Sequence, residues 1–474
     1  MEIKNLFRRI SSFIVTFFQS LTVEPASLFY YIAYSVYTLG AQKLLEQKTC
    51  FPDQEPDLVT YCKNDTLRSE ASDVITLRSV LREAIPPFVM VVAGAWRDWT
   101  GLAFPLLALS ISGMTIAAGI SLISAYIWHM TPMLTAVLES LFAGLGGGWQ
   151  LLHLSTYCYL SNRTSVKERT SRFTWLMVSM TTGTLIGNYV SGTLLTKLRY
   201  RWFFIMIIVL KLTAITLGYI FMKEKRRPPP VGKSFLNLRK FLVPFNAKTF
   251  CTVNWMMILN SWLLYCASVA EGSVRLLFVE KQFPNDMNVT NFGYYMAYCI
   301  AVHFLALVLY PPLLIRWLKW SDFTITILSL ILYTISYTGI GLSQNVIELY
   351  IFSTLNPMKN GLLVLHRSIL TKCVCDKDLG IYSSFIGVGE GFIPLGFLFL
   401  YNHIFKSTIS TWPGAYHLIS TAIGLVMLAN ICVATFLYKR QCCKDGQCNE
   451  GCKCAMARLN DQTLTEDQKI ISEN

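Results

Sequence analysis

AFPLLALSISGMTIAAGISLISAYIW, residues 103–128, contains no acidic or basic side chain. The hydrocarbon core of a bilayer is about 30 Å thick, and a helix crosses it with roughly 20 mostly apolar residues. A stretch this long and this uniformly apolar reads as a membrane-spanning helix. It is too long for a barrel strand, and in lipid only helices and closed barrels satisfy their own backbone hydrogen bonds. Similar stretches fall on either side. The first group of six is 18–40, 84–99, 103–128, 131–160, 173–195 and 201–222. The second is 250–279, 293–315, 322–341, 347–369, 381–403 and 414–437. Span 84–99 is the weakest, because Pro86, Pro87, Arg97 and Asp98 shorten its apolar core. The 474 residues are 53% hydrophobic and 15% charged, with a mean hydropathy of +0.44. The chain reads as an all-α polytopic membrane protein of twelve transmembrane helices in two six-helix halves.

Charge sets the orientation. The net charge of +13 belongs to the cytosolic face of a membrane protein, where lysine and arginine accumulate, and no nucleic-acid groove accompanies it. Lys4, Arg8 and Arg9 precede the first span. Arg163, Lys167, Arg169 and Arg172 lie between the fourth and fifth. The segment 223–249 opens KEKRRPPP and adds Arg239, Lys240 and Lys248. Three successive prolines cannot continue a helix and favour an extended linker. Arg316, Lys319, Lys372, Lys377, Lys439 and Arg440 complete the set. All fall on one side of a twelve-span chain, so both termini are expected in the cytosol. The organisation that follows is an N-terminal half 1–222 with an exterior loop 41–83, a basic cytosolic linker 223–249, a C-terminal half 250–437 and a cysteine-rich cytosolic tail 438–474.

The other side carries the acceptor sequons at Asn64 and Asn288, where glycosylation occurs. A third sequon at Asn162 falls on the cytosolic side and is expected to stay unmodified. Cys50 and Cys62 share the exterior loop, where oxidising conditions favour a disulfide over two thiols. In the tail, Cys442 and Cys443 directly follow the last span and are palmitoylation candidates. A soft-metal cluster or plain thiols are the alternatives, and the spacing lacks a paired C-x2-C signature.

Ionisable groups inside a bilayer are costly and mark pathways or pairs. The candidates for a solute or proton pathway are Glu24, Glu139, His153, Glu271, Arg275, Arg367 and Glu390. Glu24 also reads as an interfacial cap before Pro25. Glu139 and His153 are about four helical turns apart and face roughly one way, with GLGGG at 144–148 permitting close helix contact. The four-residue spacing of Glu271 and Arg275 places them side by side. Glu390 lies among Gly389, Gly391 and Pro394, which break or bend a helix, and broken helices build transporter sites. Lys211 snorkels or pairs, and His303 reads as a satisfied interhelical contact. The chain has no nucleotide-binding loop, potassium-filter motif, HExxH or GxSxG, which points away from ATP-driven pumps, such channels and hydrolases. Two six-helix halves about a basic linker point instead to a major facilitator arrangement working by alternating access.

Several motifs carry a family resemblance over about 20–437. They are Val23-Glu24-Pro25, the loop pattern Gly94, Asp98 and Gly101, the basic stretch Arg169 to Arg172, Phe292-Gly293-Tyr294, then Arg367 with Lys372 and Gly380, and Trp412-Pro413-Gly414. With these the chain resembles, distantly, solute carrier family 46, the proton-coupled folate transporter family of the major facilitator superfamily. The resemblance implies a gating role for Asp98, Gly101, Arg169, Arg172 and Lys372. It also implies a secondary transporter, protons as the coupling ion and no resident cofactor or metal. Three positions depart from the family: Asn162 stands for an aspartate, Met177 for a coupling glutamate and Val269 for a histidine. Glu139, Glu271 or Glu390 would then carry the proton. The expected solute is a small organic anion or amphipath, such as a folate-like compound, a cell-wall fragment or a steroid conjugate. The expected address is the plasma or endolysosomal membrane, with lipid as surroundings and no protein partner legible. The alternative is a receptor-like homologue that has lost transport.

Overall fold

The computed structural model describes residues 22–224, 252–373 and 386–443, with short interruptions within 54–63, at 164–165, within 311–319 and at 388. Every regular element among these residues is helical. The N-terminal elements are α1 (Glu24–Cys50), α2 (Asp65–Ala84), α3 (Pro86–Thr100), α4 (Phe104–Tyr126), α5 (Pro132–Leu145), α6 (Gly148–Arg163) and α7 (Val166–Phe221). They continue as α8 (Thr252–Gln282), α9 (Val289–Tyr310), α10 (Asp322–Leu342), α11 (Val346–Thr354), α12 (Lys359–Cys373), α13 (Pro394–Thr408) and α14 (His417–Cys443). Six helices among the described residues are long and apolar enough to cross a membrane by themselves.

The remaining spans are built from broken or more polar helices. Pro86 and Pro87 follow directly on α2, so α2 and α3 form one span with a break at Ile85. α5 and α6 are divided at Gly147 and Gly148, both at positive φ, a conformation that glycine adopts without steric cost. α7 is two spans joined at Arg199, whose φ of 58° and ψ of 171° interrupt the helical path. α11 and α12 divide at Leu355–Met358, where Asn356-Pro357 removes a backbone donor. Counted this way, the described residues supply the twelve spans of a major facilitator fold.

One expectation is corrected. The segment 41–83 is not a long exterior loop. α1 runs on to Cys50, and Asp65–Ala84 is a helix capped by the Asn64 side chain, whose Oδ1 accepts from Thr66 N at 2.9 Å. α2 escapes a hydropathy reading because it carries Arg68, Glu70, Asp73, Arg78, Arg82 and Glu83, and it folds by burying Arg68 and Arg78 inside the protein. The remaining connection is tied by the Cys50–Cys62 disulfide.

The described residues form two compact units. One comprises 1–236 with 288–300, and the other 237–287 with 301–474. In the first, α1 lies along α7 with backbones nearly touching. A Cβ added at Gly183 would meet Leu28 O at 2.6 Å, and one at Gly187 would meet Ile32 O at 2.7 Å. This is the small-xxx-small device of membrane helices, which trades side-chain bulk for dispersion contact. The GLGGG stretch does the same, since a Cβ on Gly113 would lie 2.7 Å from Gly146 Cα. In the second unit Gly389 accommodates the Trp262 ring, which a Cβ there would strike. The Trp262 indole N–H donates to Ile386 O.

Candidate functional site

Each unit encloses a carboxylate held by cations at the depth of its helices. In the first, α5 begins at the Thr131 cap and carries Glu139 inward. Glu139 accepts from Tyr37 OH on α1 at 2.9 Å and from Ser121 Oγ on α4 at 2.7 Å, and it pairs with Arg78 of α2. Arg78 and Glu139 are 3% and 2% exposed. Lys211, fully buried on α7, donates to Met114 O at 2.7 Å and stands 4.2 Å from the centre of the Tyr37 ring. Arg82, one turn after Arg78, lies over Tyr34 at 5.0 Å. A narrow recess is lined by Tyr37, Arg78, Arg82, Glu139, Ser140 and Ala143.

The second unit repeats this chemistry. Glu271 on α8 takes Arg275 Nε on Oε1 at 2.7 Å. Its Oε2 takes Lys359 Nζ at 2.9 Å and Tyr337 OH at 2.9 Å, together with a further Arg275 nitrogen. Lys359 opens α12, directly after the helix break, and lies 5.3 Å from the centre of the Tyr337 ring. Here the cations are less deeply buried: Arg275 is 16% and Lys359 12% exposed. Both centres therefore combine a glutamate, a tyrosine hydroxyl donating to it, and a lysine over that tyrosine's ring.

The expected pathway residues fall into several places. Glu271 and Arg275 pair as their spacing required. Glu139 and His153 both look onto α1 from either side of the glycine break. Glu139 meets Tyr37, while His153 Nε2 lies 2.5 Å from Tyr31 OH among the rings of Trp149 and Tyr157. Glu24 is buried at the start of α1. Its Oε1 pairs with Arg172 at 3.1 Å and its Oε2 accepts from Thr22 N at 2.7 Å, so one pathway candidate and one gating candidate meet in a lock between α1 and α7. Glu390 is half-buried just ahead of Pro394, apart from the Glu271 contacts described. Gly101 ends α3 in the left-handed conformation. The side chains of Asp98, Arg169, Arg367, Lys372, Cys442 and Cys443 lie outside the described residues, as do most of the linker 223–249 and the tail from 444. Asn64 and Asn288 are exposed.

Sequence reasoning missed Arg78, Arg82, Tyr37, Tyr337 and Lys359. Arg78 and Arg82 were absorbed into the supposed loop, although Ala71, Val74, Ile75, Arg78 and Arg82 recur at helical spacing. Asn356-Pro357 was the signal for the break that places Lys359, since such a dipeptide marks a turn.

No family model matches the chain. Among curated proteins it is 22% identical over 86% of its length to a probable peptidoglycan muropeptide transporter SLC46 of Drosophila melanogaster, of which it covers 85%. Among solved structures it is similar to the POT family transporter PepTSo (TM-score 0.64, 11% identity, 88% of this chain and 98% of that one). It is also similar to the nucleoside transporter NupG (0.60, 11%, 88% and 98%) and to the human organic anion transporter MFSD10 (0.57, 12%, 86% and 97%). The fold is that of the major facilitator transporters, a multi-pass membrane architecture, and the curated relative it resembles is named as a transporter. In sequence, and in the motifs given above, the chain is similar to that solute carrier family 46 protein.

Proposed function

We propose that this protein is a proton-coupled symporter of a small organic anion, working by alternating access with both termini in the cytosol. A carboxylate-bearing cell-wall fragment is the first solute to try, given what its fly relative is named for. The observation that carries the reading is the Glu271 centre, where one buried carboxylate serves two partly exposed cations. A glutamate in such a place has two stable states. Ionised, it holds Arg275 and Lys359. Protonated, it gives up its charge-assisted bonds, which are roughly twice as strong as neutral ones, and an arriving anion takes its place. Proton and anion then travel together, because each favours the other's binding.

The test is uptake by cells displaying the protein at their surface, at exterior pH of about 5.5 and about 7.5, of muropeptide, folate-like and sulfated steroid probes. Wild type is expected to accumulate at least one probe about tenfold faster at the acidic pH, and Glu271→Gln to lose that pH response. Uptake indifferent to pH removes the proton from the mechanism. No uptake of any probe by verified surface protein favours a homologue that has given up transport.

A further inference from the structure

The Glu139 and Glu271 centres are made of the same groups, yet they are not equally able to exchange partners. Glu139 has its donors divided over both oxygens, Arg78 on Oε1 with Tyr37 and Ser121 on Oε2. All lie in the interior, and Ser140 Oγ further fixes the Arg78 backbone at 3.0 Å. Glu271 instead concentrates Lys359, Tyr337 and part of Arg275 on Oε2. Its two cations approach from different helices, α8 and α12, and both are partly exposed. The break before Lys359 adds the positive end of a half-helix on the same side.

We propose that Arg275 and Lys359 are the receptor for the anionic head group of the solute, a carboxylate or sulfate, and that Glu271 occupies it as a built-in counter-ion when no solute is bound. This assignment rests on the symport reading above and gives it residues. Glu139 is then a fixed structural centre, although its chemistry looks equivalent. The groups facing Glu271 are Arg275 on its own helix, Tyr333 and Tyr337 on α10, Lys359 on α12, His303 on α9, Tyr401 on α13 and His417 on α14. His417 is buried with neither ring nitrogen hydrogen-bonded, and packs edge-on to Phe278. A proton arriving at Glu271 removes its negative charge. The two cations then hold the solute's anion, which leaves again when Glu271 loses the proton and reclaims them.

The receptor is testable without knowing the solute. The probe is sodium sulfate, titrated against sodium chloride at constant ionic strength into the purified full-length chain, with thermal unfolding as the readout. An anion that binds only the folded protein raises its unfolding temperature saturably. Glu271→Gln is expected to gain a saturable rise of about 3 °C, absent from Glu271→Gln/Lys359→Gln and kept in Glu271→Gln/Lys359→Arg. Wild type should show a smaller rise than Glu271→Gln, and one that grows as the pH is lowered. Glu139→Gln, although less stable, should keep the wild-type pH dependence of the sulfate-induced rise. Equal rises with and without the Lys359 charge, or no rise in Glu271→Gln, overturn the receptor. A wild type that shows the acid-dependent rise yet takes up none of the anionic probes retains the receptor and overturns the symport reading. Uptake with no sulfate response does the reverse.

Discussion

Around Glu139 the pairing residues come from α1, α2 and α4, and Arg78 and Glu139 stand 3% and 2% exposed. Around Glu271 the partners come from α8, α10 and α12, and Arg275 and Lys359 stand 16% and 12% exposed. Composition does not separate the two centres, because both have a glutamate, a tyrosine hydroxyl and a lysine over its ring. Access separates them. A buried ion pair is expensive to break when neither partner has water to turn to, so the first centre holds helices together. A pair with partly exposed cations costs less to open, which is why the proposed exchange is placed at the second centre. Burial, more than residue type, separates the two centres.

The largest expected effect attacks the first centre. Glu139→Ala leaves Arg78 buried without its carboxylate and should cost about 3–5 kcal/mol, read as a lowered unfolding temperature and lost surface expression. Glu271→Ala should cost about 1–3 kcal/mol, since its cations are partly exposed. Equal losses would end the distinction. The double change Arg78→Met/Glu139→Leu sharpens it by removing both charges, and should recover most of the stability. The next effect concerns the disulfide of the first unit. Cys50→Ser should destabilise by about 2–3 kcal/mol, and reductant should destabilise wild type to the same extent without affecting the variant. The smallest compares the tyrosines. Tyr37→Phe and Tyr337→Phe each remove one hydrogen bond to a carboxylate, worth about 1.5 kcal/mol. Only Tyr337→Phe should also move the pH profile of uptake.

The apolar spans were legible because lipid demands an apolar exterior, which leaves a trace in composition wherever a helix faces lipid. α4, α8 and α10 were therefore placed within a few residues of their ends. α2 was not legible in that way, because its charges are paid for by partners distant in sequence, Glu139 being 61 residues from Arg78. The Glu271–Arg275 pair was readable because a helix makes neighbours of residues four apart. Lys359, 88 residues from Glu271, becomes a neighbour only once α8, α10 and α12 are packed. Local geometry is written locally, and the second partner of each centre is a property of the bundle.

The polarity of α2 also bears on how the chain enters the membrane during synthesis. The insertion machinery meets Arg68, Arg78 and Arg82 well before Glu139 has been translated, and an arginine near the middle of an inserting helix is penalised by about 2.5–3.5 kcal/mol. The α2–α3 segment therefore has poor reason to leave the translocon for lipid when it first emerges. Its Arg78 gains its carboxylate partner only a few seconds later, once α5 has been made. The order in which the ribosome delivers these helices is thus part of what makes the first unit possible.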